Sequence, residues 1–84
     1  KTLEHVRQAT VFLEKIEEHD FDIKSIKQAV WGYAEKEGRG SVLWPLRYAL
    51  SGKEKSPDPF TIAAVIGKEA TLRRLRGALQ VLGQ

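Results

Sequence analysis

Apolar residues recur every three or four positions through almost the whole chain, and nowhere do they alternate long enough to make a strand. That period belongs to helices with one buried face. Leu3, Val6, Thr10, Leu13 and Ile16 form the first stripe, which Ala9 and Phe12 widen, while Glu14, Lys15, Glu17 and Glu18 lie off it. The first helix is expected to stop near His19-Asp20, where Asp20 or Asp22 can cap the next. Ile23, Ile26, Val30 and Tyr33 carry a second stripe up to a Gly38-Arg39-Gly40 hinge, where Gly38 is suited to a left-handed C-cap. Leu43, Leu46 and Leu50 carry a third. Pro45 cannot donate a backbone bond, so this helix is expected to begin near Val42 to Trp44, with the proline in its first turn. After a polar loop, Asp58-Pro59 reads as N-cap and first helical residue of a short helix that ends at Gly67. Leu72, Leu75, Leu79 and Leu82 mark a last helix starting near Lys68. The fold class is therefore all-α, a compact bundle of about five short helices in one domain spanning residues 1–84.

Eighty-four residues bury one modest core and leave no room for a catalytic domain beside a recognition domain. The chain starts at Lys1 inside a helical pattern and contains no Met, so it is read as an excised C-terminal piece. Zero cysteines exclude disulfides and thiolate metal sites, and fit a cytoplasmic protein. His5 and His19 are read as solvated surface residues rather than metal ligands. No apolar run approaches the roughly 20 residues of a membrane span. The net charge of +3 is unevenly spread: residues 1–37 hold six Lys/Arg against eight Asp/Glu, and residues 38–84 hold eight against three. A basic second half is the footprint expected of a domain that meets a polyanion.

The densest signal lies in residues 43–69: Pro45-Leu46-Arg47-Tyr48-Ala49-Leu50-Ser51-Gly52, then Ser56-Pro57, then Gly67-Lys68-Glu69. In order and spacing this run resembles the C-terminal anticodon-binding domain of bacterial glutamyl-tRNA synthetases, a P-L-R-x-A-L-[ST]-G run followed by an [ST]-P loop and a G-K-E helix start. The clear match covers roughly residues 38–80. Arg47 borders the Leu43/Leu46/Leu50 stripe, where its planar fork of donors suits a base edge or a phosphate. The resemblance implies that Arg47 contacts the anticodon and that Ser56, Pro57, Asp58 and Pro59 lie against its first two bases. The family's commoner Gly-Leu after that proline is replaced by Asp58-Pro59, and Asp58 is read as the helix cap. Tyr48, beside Arg47, is a candidate for base stacking, as is Trp44. Lys53, Lys55, Arg73, Arg74 and Arg76 are candidate phosphate contacts.

What the resemblance implies, then, is recognition of the tRNA-Glu anticodon loop by a monomeric piece of a cytoplasmic glutamate–tRNA ligase that also contacts the missing N-terminal part of its own chain. ATP and Mg²⁺ would serve the parent enzyme elsewhere, and this piece would carry no catalytic residue or metal. Gly38-Arg39-Gly40 and Gly67-Lys68-Glu69 lack the glycines or hydroxyl of a nucleotide-binding loop, and Lys53-Glu54-Lys55-Ser56 lies inside the anticodon motif. The competing reading is a helical module docking an acidic protein partner of the translation apparatus. A DNA-binding role fits poorly, because the helix starting at Lys68 lacks Asn or Gln near its N-terminus.

Overall fold

The computed structural model describes residues 2–52 and 57–83. Its elements are α1 (Thr2–Glu14), a single 3₁₀ turn (Glu18–Asp20), α2 (Ile23–Glu37), α3 (Arg39–Ser51) and α4 (Pro59–Leu82). Among the described residues there is no strand. One core is shared by all four helices: Val6, Ala9 and Leu13 of α1, Ile26, Val30 and Ala34 of α2, Val42, Leu46 and Leu50 of α3, and Phe60, Ala63, Leu72 and Leu75 of α4. The stripes read from spacing supply most of it. Ile23 and Leu82, at the outer ends of their stripes, are exposed.

Two boundaries differ from the sequence expectation. First, α1 ends at Glu14. Lys15 and Ile16 then donate to Phe12 and Leu13 in tight three-residue turns, and the 3₁₀ turn leads into buried Phe21. A straight helix to Asp20 could not turn the chain so soon towards α2. Asp22, of the two acids considered, is the cap of α2, accepting from Ser25 N–H at 2.8 Å.

Second, the expected three-residue hinge is one residue. Gly38 alone breaks the helical path, at φ 103° and ψ 116°, and α3 begins at Arg39. That φ favours glycine, but the conformation is not the left-handed helical one expected. Pro45 consequently sits inside α3, beyond its first turn. It removes the bond that would reach the carbonyl of Ser41; Ser41 is exposed, so water can take the place of the absent donor.

The two expected final helices follow one another as the two limbs of α4 and meet at Gly67, whose non-helical backbone (φ 90°, ψ 167°) ends the first where the sequence places the stop. The bundle thus has five straight segments in four helices. Fully buried Thr71 spans the bend, its hydroxyl donating to the carbonyl of Ala63 at 3.2 Å. Farther along, Arg74 donates from Nη1 to the carbonyl of Leu50 at 2.5 Å. This ties the second limb of α4 to the end of α3, where Gly52 closes the helix in the left-handed conformation.

His5 corrects the solvated reading given above. It is only 5% exposed and shares a hydrogen bond of 3.0 Å between Nδ1 and the Tyr33 hydroxyl. Burial, with the carboxylates of Glu37 and Glu4, raises the pKa of Tyr33 and keeps that hydroxyl protonated. His19 is exposed beside Asp20. No helix among the described residues is long and apolar enough to cross a membrane.

Candidate nucleic-acid interface

Because α3 starts at Arg39, residues 39, 43 and 47 fall four apart on one face of the helix. The cap of α4 packs beside that face. Together they enclose a shallow depression of about 360 Å³ lined by Arg39, Gly40, Leu43, Trp44, Arg47, Asp58 and Pro59. Tertiary folding has therefore brought Arg47 to Asp58 and Pro59, three residues named from the sequence and separated along it by the segment after Ser51.

Arg47 is half-buried, its guanidinium carbon 5.0 Å from the centre of the Trp44 ring. Its Nε is buried and, among the described residues, has no hydrogen-bond partner. A buried donor without an acceptor costs on the order of 1–3 kcal/mol, so the arrangement favours any ligand that brings an acceptor. Among the described residues no carboxylate is paired with Arg47, Arg39 or Lys27.

Asp58 is occupied otherwise. One of its carboxylate oxygens accepts from Thr61 N–H (3.0 Å) and the other from the Thr61 hydroxyl (2.8 Å). Partial burial pushes its carboxyl up, but the bonds from Thr61, together with the backbone N–H groups of Asp58 and Phe60, outweigh that and leave its pKa below the ordinary carboxylate value. Asp58 is thus the cap read from the sequence, with Pro59 at the first helical position.

Tyr48 does not line this depression. It is 53% exposed and borders a neighbouring, more apolar groove of about 500 Å³, with Pro45, Arg74, Val81 and Leu82 on its other walls. Trp44, 46% exposed, separates the two and contributes to both. Pro57 is exposed next to the α4 cap. Ser56, Lys53 and Lys55 lie outside the described residues.

The arginines of α4 are placed apart from Arg47. Arg73 approaches Glu69 at 3.9 Å and Arg76 approaches Glu14 at 3.4 Å, on a side that also carries Glu17 and Glu18. Arg74 is the link to Leu50 already described. The residue missing from the sequence-based site is Arg39. Its signal was present in the spacing of 39, 43 and 47, but placing the helix start after the hinge hid it.

Comparison with known proteins assigns the chain to a family. The family described as "Anticodon binding domain" matches residues 1–79. The chain belongs to that family. This anticodon-binding domain is 36% identical over 84 residues to a glutamate–tRNA ligase of Clostridium acetobutylicum, covering 96% of this chain and 17% of that protein. It is 37% identical over 84 residues to one from Anaeromyxobacter dehalogenans, covering 98% of this chain and again 17% of the relative. A third, from Christiangramia forsetii, is 36% identical over 83 residues, with 96% and 16% covered. The chain thus spans about a sixth of the length of these relatives. No solved structure gives a significant match.

Proposed function

We propose that this anticodon-binding domain reads the anticodon loop of tRNA-Glu as one unit of a monomeric, cytoplasmic glutamate–tRNA ligase, and that the rest of that enzyme attaches glutamate to the tRNA using ATP and Mg²⁺. The observation that carries the reading is Arg47: a half-buried guanidinium held against Trp44, with an Nε that has no partner among the described residues, in a depression that also holds Asp58 and Pro59. Unpaired loop bases present their edges and faces to a protein, unlike bases in a duplex. A guanidinium answers an acceptor-bearing edge, and the exposed face of Trp44 answers a base plane. Asp58 holds the start of α4 in place by capping it, and Pro59 beside it offers a fixed apolar wall. Ser56 and Pro57, which precede that cap in the chain, are the further residues assigned to the first two anticodon bases.

The described residues do not fit ATP or Mg²⁺. Among them no three carboxylates or imidazoles converge, and Gly67 is a helix bend whose next residues, Lys68 and Glu69, supply no phosphate loop. The domain's contribution is binding: holding the loop fixes the direction in which the acceptor end of the tRNA extends.

Replacing Arg47 tests the proposal. Arg47→Ala should weaken binding of a tRNA-Glu anticodon stem-loop by about 1–3 kcal/mol and reduce discrimination against a stem-loop with altered anticodon bases. Unchanged affinity and discrimination would make Arg47 a structural residue. The competing reading, docking of a protein partner, is favoured by the exposed apolar wall of Trp44, Tyr48, Val81 and Leu82. It predicts that neither stem-loop binds.

A further inference from the structure

Trp31 sits half-buried on α2, braced edge-on by buried Phe60 at 6.4 Å between ring centres. Two exposed cations share it. Lys27 Nζ, one turn earlier on α2, lies 4.9 Å from the ring centre, and the guanidinium carbon of Arg39, from the start of α3, lies 5.8 Å from it. An aromatic face attracts each of these cations, but they repel one another, and no carboxylate among the described residues is paired with either. An anion from outside the domain would relieve that repulsion. Arg39 is also a wall of the depression that holds Arg47.

From this juxtaposition we infer that Lys27 and Arg39, held on the Trp31 plate, form a phosphate-binding corner that takes the sugar–phosphate backbone of the same RNA strand whose base faces Arg47. The inference rests on the proposed function and adds to it a division of labour. Arg47 reads a base, whereas the Trp31 corner neutralises phosphates and is indifferent to sequence. The corner lies on α2 and the first turn of α3, away from the Arg73 and Arg76 face that carries its own acids. Both side chains are exposed, so their replacement leaves the core intact.

The test is the salt dependence of binding, measured by fluorescence anisotropy with labelled anticodon stem-loops of tRNA-Glu and of an altered anticodon. For the double variant Lys27→Gln/Arg39→Gln, the slope of log Kd against log salt should fall by about 1.4, that is about 0.7 for each single-strand phosphate no longer neutralised. The single variant Lys27→Gln, whose residue does not line the depression, should lower the slope by about 0.7 and keep the parent ratio of affinities for the two loops. The charge-conserving variant Lys27→Arg/Arg39→Lys should keep the parent slope. An unchanged slope in the Gln variants, with discrimination intact, would overturn the phosphate corner and leave the anticodon reading standing. A reduced slope in a chain that never distinguished the two loops would support the corner and overturn the reading. Absence of binding to either loop would overturn both.

Discussion

At the scale of single residues, two of the three ionic side chains of the depression do opposite jobs. Among the described residues Arg47 keeps a donor unspent, whereas Asp58 has both oxygens engaged by Thr61. That difference makes Asp58 a stability residue with a pH signature. Its folded pKa lies below the ordinary value of 3.8, so its extra stabilisation is complete above that unfolded value and is lost as pH falls through the lower folded one. Asp58→Ala should therefore destabilise the domain by about 1 kcal/mol at neutral pH in a urea melt, with the gap to the parent closing in acid. Asp58→Asn, which caps without titrating, should remove the pH dependence at little cost near neutrality. An equal gap at all pH values would mean that the carboxylate does not act as the cap. This cap was legible in the sequence, because an acid before a proline and an apolar stripe is a local signal. The unpartnered Nε of Arg47 was not, since burial of one nitrogen depends on how α3 meets the α4 cap.

At the scale of elements, glycines decide three of the four turns of the helical path, and the conformation each adopts separates what the sequence revealed from what it hid. Gly38, Gly52 and Gly67 each have a positive φ, whereas the turn from α1 into α2 holds no glycine. What composition could not supply was the number of residues each break consumes. Gly38 turns the chain in one residue, so α3 starts a full turn ahead of Leu43 and carries Arg39 onto the Arg47 face. At Gly67 one limb of α4 ends and the next begins at once, with Thr71 bonding back across the break. Gly67→Ala forces a side chain into that backbone region and should cost about 1–3 kcal/mol, read as a fall in Tm. The added methyl would meet no neighbouring atom, so the loss would come from the backbone alone. An unchanged Tm would mean that α4 straightens without penalty. Pro45 shows the limit of a local rule: its place inside α3 is tolerated because the carbonyl it leaves without a donor belongs to an exposed residue.

At the scale of the whole molecule, the bundle serves to set the start of one helix against the middle of another. The four-helix core fixes α3 through Val42, Leu46 and Leu50, and fixes the start of α4 through Phe60 and Ala63. Both sides of the depression are thus anchored to the core, which would limit the ordering entropy lost on docking of the proposed base. The basic second half suggested from the sequence divides in three dimensions. Arg39 and Arg47 line the depression without carboxylate partners among the described residues, while Arg73 and Arg76, on the far limb of α4, face Glu69 and, from α1, Glu14. Charge counting along the chain could not see that division. The most direct test of anticodon reading is an NMR amide-shift titration with the tRNA-Glu anticodon stem-loop and with the same stem carrying altered first and second anticodon bases. Shifts concentrated on Arg39–Tyr48 and Asp58–Phe60, and absent with the altered loop, are the predicted result. Equal shifts with both RNAs, spread over all the lysines and arginines and abolished by salt, would contradict it.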